Sequence, residues 1–248
     1  MFVIPLPPPS PRECPDEVRT SMTGVQDVAK WEAYHCAPTT PPWESTEVFA
    51  GLPPLLEKLA RESMPTSSKK KAIEFGCGAS KTAVWLAEQA GWEVTGVDIS
   101  PRAIERATIL DSRQLVRWVQ ADVLRLPGTL PAGREEDGSF DLVFDMQCFH
   151  FLRDIDRDGA VEAISNCLKP GGTAVIVVGA PNPEAANGPG PCRLTRQEFV
   201  DDFAAGAADL ELVSLTLSSF NPTPFYDAHF SRPPPCWIGT FRKKVALN

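Results

Sequence analysis

The sequence is short of basic charge and of long apolar runs. Its 32 acidic residues outnumber its 24 basic residues, which gives the 248-residue chain a formal net charge of −8. Binding to nucleic-acid phosphates requires a basic surface, so no nucleic-acid partner is expected. No apolar segment approaches the roughly 18 residues of a membrane-spanning helix, so no membrane partner is expected either.

Cysteine pairs are also absent. The seven cysteines are scattered and odd in number, and no C-x-x-C spacing occurs among them. This usage indicates reduced thiols, and the opening MFVIPL is too short for a signal peptide, so we expect a cytoplasmic protein. The close Cys/His pairs, His35 with Cys36 and Cys148 with His150, are too isolated for a zinc site, so no metal is expected.

The chain does contain enough apolar residues to build one core. Hydrophobic residues make up 43% of it, and no break in composition divides its middle. This pattern predicts a single domain. Residues 1–24 are rich in proline and are expected to be disordered, so the domain is expected to span residues 25–248.

Residues 70–99 (KKAIEFGCGASKTAVWLAEQAGWEVTGVDI) read as a strand, a glycine turn, a helix and a second strand that ends in an acid. Gly76 and Gly78 let backbone N–H groups approach a ligand. The third glycine of the dinucleotide fingerprint is absent, and no G-x-x-x-x-G-K-[ST] loop occurs. Glu74, just before the turn, suits a cationic group. Asp98, at the tip of the second strand, can accept the hydroxyls of a ribose.

The E-F-G-C-G segment resembles motif I of the class I S-adenosylmethionine-dependent methyltransferases. The segments that this family requires next follow in order: VRWVQADV at 116–123, which reads as a strand ending at Asp122, FDLVFD at 140–145 and LKPGGTAVIVVGA at 168–180. The resemblance implies that Glu74 lies near the amino end of the methionine moiety and that Asp122 faces the adenine amino group. The S-adenosylmethionine site that it implies comprises Glu74, Gly76, Cys77, Gly78, Asp98, Ile99, Asp122 and Val123.

The alternation of strands and helices predicts an α/β fold with a parallel sheet and right-handed crossovers. The resemblance implies a Rossmann-like, doubly wound sheet of seven mostly parallel strands, the last of them antiparallel. Helix starts are predicted at Ser80, at Ser100-Pro101 and at the T-x-x-E capping box of Thr195 and Glu198.

Two further segments narrow the resemblance: W-x-x-Y…P-W-E before the glycine turn and FD-x-x-x-D-x-x-CFH-x-L after it. They resemble the thiopurine, halide/thiol and tellurite-resistance methyltransferase group. That group folds its N-terminal segment over the cofactor, which implies a cap over residues 25–65 and a cofactor contact for Trp43. A structural staple is the equal alternative for Trp43. Relatives in that group commonly carry D-R-G where this chain has Asp145-Met146-Gln147, which puts an anionic substrate in doubt.

Ligands of open α/β sheets bind outside the carboxyl ends of the parallel strands. The segments expected there are 145–152, 181–193 and 221–235, and the last two are predicted to be loops. The candidate catalytic residues are Asp145 and His150, and the candidate substrate contacts are Cys148, Phe149, Tyr226 and His229. A structural role for His150 and core packing of Phe149 are the alternative interpretations.

The sequence shows no Ser-His-Asp pattern and no unmistakable base. A thiolate, halide or other soft nucleophile needs no base to accept a methyl group. We therefore predict an S-adenosylmethionine-dependent methyltransferase that acts on a small molecule at such an atom, as a monomer or weak homodimer. The alternatives are O- or N-methylation of a small metabolite, with His150, Asp145 or Tyr226 as base, and a catalytically silent partner subunit. The intact cofactor-facing acids speak against a silent subunit.

Overall fold

Seven strands form one sheet in the computed structural model of the chain. The structure describes residues 28–37, 40–45, 47–62, 69–89, 91–130, 138–185, 193–206 and 209–245. The segment 1–24, predicted to be disordered, lies outside these residues. The strands are β1 Lys71–Phe75, β2 Glu93–Asp98, β3 Val116–Gln120, β4 Phe140–Met146, β5 Leu168–Gly179, β6 Leu210–Ser219 and β7 Pro235–Lys243.

The strand order in the sheet is β3-β2-β1-β4-β5-β7-β6. Strands β1 to β5 pair in parallel, whereas β7 is antiparallel to both β5 and β6. The predicted Rossmann-like sheet with an antiparallel last strand is therefore confirmed. Because the order reverses between β1 and β4, the carboxyl ends of these two strands flank the crevice where ligands of such sheets bind.

Seven helices accompany the strands in the described part of the chain. They are α1 Val28–Cys36, α2 Pro53–Glu62, α3 Lys81–Gln89, α4 Pro101–Leu110, α5 Phe149–Cys167, α6 Arg196–Gly206 and α7 Pro224–His229. None of these described helices is long and apolar enough to cross a bilayer.

The predicted helix starts are present. The Ser80 hydroxyl accepts the N–H groups of the first turn of α3, and Ser100 does the same for α4. Thr195 and Glu198 form the reciprocal hydrogen bonds of a capping box ahead of α6. These side chains satisfy N–H groups that have no partner within the helix, so each fixes where its helix begins.

Apolar side chains cover both faces of the sheet. Along β4, Val143 belongs to the cluster that includes α5 and α6, whereas Leu142 belongs to the cluster on the other face; both are fully buried. Burial on both faces explains why β4 reads as a near-continuous apolar run. The second cluster also contains Phe49 and Tyr226, so it reaches residues before and after the central sheet.

Two predicted boundaries are wrong. The segment 221–235 was expected to be a loop, but Thr223 caps the short helix α7 by accepting the N–H of Tyr226. The strand expected over 116–123 ends at Gln120, because Asp122 instead caps a short 3-10 turn by accepting the N–H of Leu124. In both places a side-chain cap starts helical backbone earlier than composition indicates.

Candidate active site

The glycine turn after β1 is held by backbone hydrogen bonds to β2. Cys77 N–H donates to the Val97 carbonyl over 2.9 Å, and Gly78 N–H donates to Asp98 Oδ2 over 2.8 Å. Gly76 has φ +59° and Gly78 has φ +51°, a conformation that favours glycine. A Cβ at Gly78 would meet nothing within 3.9 Å, so the turn leaves open space for a ligand beside its backbone.

Asp98 is buried at the tip of β2 and is oriented from both sides. Its Oδ1 accepts Ser100 N–H over 2.9 Å, while its Oδ2 accepts Gly78 N–H. Burial raises its pKa, whereas these N–H donors oppose the shift. Each carboxylate oxygen has two lone pairs, so each can still accept one hydroxyl hydrogen bond from a ribose.

Glu74 offers a buried carboxylate oxygen with no partner. Its side chain is 3% exposed, and its Oε1 accepts the Ser80 hydroxyl over 2.9 Å. Its Oε2 has no hydrogen-bond partner among the described residues. Burial, and then the negative charges of Asp145 and Asp98, raises its pKa to about 8. A buried oxygen in this state suits a positively charged ligand group, because an unpaired buried carboxylate is unfavourable.

The remaining predicted cofactor residues surround this turn. Ala121 N–H donates to the Asp98 carbonyl, which brings the start of the Asp122 turn beside the tip of β2. Ile99 follows Asp98, and its carbonyl faces the Gln120 amide. Val123 and the Cys77 thiol are buried, and burial raises the pKa of that thiol, so Cys77 contributes its backbone rather than a reactive sulfur.

Helix α1 covers the start of α4 next to Asp98. Its Glu32 carboxylate accepts the Ser100 hydroxyl and the Arg102 N–H. Arg106 of α4 donates to His35 Nδ1 over 3.0 Å and to Glu44 over 2.9 Å. The N-terminal segment is therefore tied to the cofactor edge of the sheet by charged hydrogen bonds.

His35 was not predicted as a site residue, yet it faces the glycine turn. Its Cε1 lies 3.9 Å from the position of a Cβ at Gly78. Burial, and then the Arg106 charge, lowers its pKa to about 4. Because Nδ1 accepts from Arg106, the ring proton lies on Nε2. No local sequence pattern marks this residue, since α1 and the glycine turn are brought together only by the fold.

Trp43 lies in an aromatic cluster rather than at the glycine turn. Its ring centroid is 5.6 Å from that of Trp31 and 4.9 Å from that of Tyr34. Trp31 packs in turn against Phe151 of α5, at 4.9 Å. The cluster joins the N-terminal segment to the residues that follow β4, so Trp43 both staples the cap and borders the cleft described next.

A solvent-open cleft lies between the N-terminal segment and the residues around α7. Aromatic rings form much of its wall, and Met146 and Gln147, at the end of β4, belong to it. Its polar members come from the loops at either side. The lining residues are Trp43, Ser45, Glu47, Phe49, Met146, Gln147, Phe220, Asn221 and Tyr226.

Asn221 joins the two walls of this cleft. Its Oδ1 accepts Ala50 N–H over 3.1 Å, and its Nδ2 donates to the carbonyls of Glu47 and Val48. The cleft is next to the glycine turn. Phe75 at the end of β1 pairs in register with Asp145 near the end of β4. The glycine turn follows Phe75, and the cleft residues Met146 and Gln147 follow Asp145, so both lie at the same edge of the sheet. A ligand in the cleft and a ligand on the turn would therefore be neighbours.

Residues 73–176 match the family model described as a methyltransferase domain. The matched segment runs from β1 into β5 and includes the glycine turn. The strand order and the antiparallel β7 are the fold of the class I S-adenosylmethionine-dependent methyltransferases. The orphan Glu74 oxygen, the open glycine turn and Asp98 fit S-adenosylmethionine, which is the cofactor that these findings support.

Among characterised relatives, the chain is similar to methyltransferase GfsG of Streptomyces halstedii, with 30% identity over 171 residues that cover 62% of this chain and 58% of the relative. It is also similar to norajmaline N-methyltransferase of Rauvolfia serpentina, with 27% identity over 117 residues that cover 46% and 37%. The chain thus spans about half the length of the curated relatives that it matches.

Solved structures share the fold. One was determined in work on the conversion of a disulfide bond into a thioacetal group during echinomycin biosynthesis; its TM-score is 0.67, with 23% identity and coverage of 88% of this chain and 91% of that chain. At this identity the likeness concerns the fold alone. The match to the thiopurine and tellurite-resistance group therefore stays a prediction within the wider methyltransferase class.

Of the predicted substrate contacts, the fold brings only Tyr226 to the cleft. Phe149, predicted as a substrate contact or a core residue, is fully buried and packs against Phe199 and Phe203 on the opposite face of the sheet. His229 is exposed and stacks on Phe225, away from the cleft lining. Cys148 lies behind Gly76, because a Cβ added at Gly76 would come within 2.5 Å of the Cys148 Sγ.

The two predicted catalytic residues are sealed inside the domain. Asp145 Oδ1 accepts the N–H groups of Cys148 and Phe149 at the start of α5, and burial raises the Asp145 pKa to about 7. His150 is 1% exposed, neither ring nitrogen has a partner among the described residues, and burial lowers its pKa to about 3. Neither residue lines the cleft, and their catalytic role stays a prediction.

Proposed function

We propose that this chain transfers a methyl group from S-adenosylmethionine to a small molecule, at sulfur or another soft atom. The observation that carries the proposal is the cleft beside the glycine turn, whose lining does not include Asp145 or His150, the two predicted catalytic residues. Met146 in that lining supplies no charge for an anionic acceptor. The protein is proposed to act in the cytoplasm, as a monomer or weak homodimer.

The cofactor-facing residues divide the binding task among them. Glu74 would hold the cationic end, Asp98 the ribose hydroxyls and Asp122 the adenine amino group. When bound, S-adenosylmethionine supplies a methyl group that its sulfonium already activates. The aromatic cluster of Trp31 and Trp43 would exclude water from the junction of turn and cleft.

An acceptor whose attacking atom has no proton to lose fits the residues around the cleft. The Asp145 carboxylate already accepts two N–H groups, and the His150 ring is enclosed by protein. Burial raises the pKa of the Tyr226 hydroxyl, so it does not ionise readily. The domain then contributes mainly orientation, which accounts for roughly 7–11 kcal/mol of barrier in well-aligned reactions.

The second candidate is methylation of nitrogen or oxygen. A relative named as an N-methyltransferase supports it, and Glu47 and Tyr226 line the cleft where a proton acceptor would be needed. This alternative differs from the first in requiring a base when the attacking atom carries a proton.

Transfer from methyl-labelled S-adenosylmethionine to thioanisole, phenol and aniline distinguishes the two. We expect thioanisole, whose neutral sulfur has no proton to lose, to be methylated at a rate that His150→Ala and Asp145→Asn leave within about threefold, because general-base catalysis typically contributes about 10²–10⁴-fold. Thermal unfolding and cofactor binding of both variants serve as controls. Preferred methylation of phenol, with a loss of that size in folded His150→Ala, would refute the soft-nucleophile proposal.

A further inference from the structure

We propose that Gln147 selects the acceptor, and that the cleft takes a flat, uncharged ring compound that offers a hydrogen-bond acceptor to the Gln147 amide. The inference rests on the proposed function, because it assigns the acceptor to this cleft. Three features of the cleft carry it: the aromatic walls, the charge of the lining and the conformation of Gln147.

The walls of the cleft suit a planar apolar body. Trp43 and Phe49 come from the N-terminal segment, and Phe220 and Tyr226 come from the residues around α7. Phe220 lies 6.3 Å from Phe49 and 6.2 Å from Tyr226, between ring centroids. Rings at these separations favour a further ring in stacked or edge-to-face contact.

The charge of the lining disfavours anions. Among the described residues that line the cleft there is no lysine, arginine or histidine, whereas Glu47 contributes a carboxylate. Glu74 and Asp98 lie at the neighbouring glycine turn and add carboxyl groups on the cofactor side. An anionic acceptor would lose its hydration here without gaining a cationic partner.

Gln147 carries a side chain where the backbone favours glycine. Its φ is +69°, and its N–H donates to the Val177 carbonyl over 2.9 Å, which fixes this conformation at the tip of β4. Such a left-handed residue is strained unless it is glycine, and strained residues cluster at functional sites. Unlike the exposed Gln114, which also has a positive φ, Gln147 holds this conformation with its side chain in the lining of the cleft.

The amide of Gln147 has one end engaged and one end free. Tyr226 donates its hydroxyl hydrogen to Gln147 Oε1 over 3.3 Å, which orients the amide. The amide Nε2 then remains as a donor, with no partner among the described residues. A ring nitrogen or carbonyl oxygen on the acceptor would complete this hydrogen bond. Tyr226 and Gln147 together therefore recognise a neutral hydrogen-bond acceptor rather than a charged group.

Matched bicyclic probes test the inference by binding rather than by turnover. Quinoline has a ring nitrogen that accepts a hydrogen bond, naphthalene has the same shape without one, and quinoline-2-carboxylate adds a negative charge. Dissociation constants are measured by quenching of tryptophan fluorescence, on the full chain with S-adenosylhomocysteine present. We expect quinoline to bind about three- to tenfold more tightly than naphthalene, the net worth of one neutral hydrogen bond. The carboxylate should bind more weakly than both.

Gln147→Leu should abolish the preference of quinoline over naphthalene while both still bind. Gln114→Leu is the matched control, because Gln114 also has a positive φ, +52°, but is exposed in the turn after α4. If Gln147→Leu does not fold, Gln147→Glu keeps the side-chain size and should likewise remove the preference. Equal quinoline and naphthalene affinities in the unaltered protein, tight binding of the carboxylate, or an unchanged preference in Gln147→Leu would overturn the inference.

These outcomes are separable from failure of the proposed function. Calorimetry with S-adenosylmethionine reports the cofactor site, and the probes report the cleft. Cofactor binding without quinoline selectivity leaves the methyltransferase proposal in place and refutes the role of Gln147. Quinoline selectivity without cofactor binding supports the cleft assignment and refutes the proposed function.

Discussion

Glu74→Gln is the sharpest test of the cofactor site. The substitution keeps the size of the side chain and its acceptor for the Ser80 hydroxyl, but it removes the charge that the orphan oxygen would present to a cation. Because glutamine has no charge to bury, the variant should fold at least as well as the unaltered protein. Its advantage in stability should grow as pH rises from about 4.5 to about 8, because over this interval Glu74 ionises in the unfolded chain while its raised pKa keeps it protonated in the fold.

Cofactor affinity should fall in this variant. A hydrogen bond to a charged group is worth about 1.5–3 kcal/mol, so S-adenosylmethionine should bind about 10- to 150-fold more weakly. The pH dependence is a second signature. With a pKa of about 8 in the free protein, the ionised fraction of Glu74 rises about ninefold from pH 6 to pH 7. If the bound cation requires ionised Glu74, affinity rises with pH over this interval, and a proton is released on binding.

Titration calorimetry at pH 6 and pH 7, in buffers of different ionisation enthalpy, measures both quantities. The pH dependence of cofactor affinity is compared between the unaltered protein and Glu74→Gln. The difference isolates the contribution of Glu74 from that of Asp145, whose pKa of about 7 lies in the same interval. Glu88→Gln is the control, since Glu88 pairs with Arg113 on the surface of α3. Unchanged affinity and unchanged proton release in folded Glu74→Gln would show that the orphan oxygen does not meet the cofactor.

Two further predictions concern stability. Gly76→Ala should destabilise the fold by about 1–3 kcal/mol more than Gly91→Ala, as measured by chemical denaturation. Both glycines have a positive φ, but only a Cβ at position 76 would clash with Cys148. Equal losses of stability would contradict this contact. Burial lowers the pKa of His150 to about 3 from the usual 6.5, so the neutral ring contributes stability above pH 6.5 that is lost as pH falls towards 3; at pH 5 this loss is about 2 kcal/mol. His150→Leu should therefore weaken the acid sensitivity of unfolding, the exposed His229→Leu should not, and an identical pH profile in both variants would count against the buried neutral ring.

The central sheet and the glycine turn could be predicted because their signals are local. Apolar strands, a glycine pair and a capping serine lie within about thirty residues of one another, so residues 70–99 specify their own structure. Helix α7 was missed because the proline-rich composition around it favours a loop. Thr223 followed by Pro224 is the local signal that would have found it, since a capping hydroxyl followed by proline begins many helices.

The acceptor site was harder to predict because its parts are distant in sequence. Gln147 and Tyr226 are 79 residues apart, and Asn221 bonds to Ala50 across 171 residues. Phe149 was misplaced for a related reason: the sequence shows that a helix follows β4, but not which face of that helix meets the core. Contacts of this kind depend on how α5 and the N-terminal segment lie against the sheet, which no local pattern encodes.

The bridge made by Asn221 has a consequence for how the molecule assembles. The glycine turn is complete once β1, α3 and β2 have formed, whereas the cleft needs two segments from opposite ends of the described chain. Contacts of such long sequence separation carry the largest loop-closure cost and form late in folding. We therefore expect the glycine turn to form before the acceptor site. Sequence changes in the two outer segments can therefore alter which acceptor is bound without disturbing the unit that folds first.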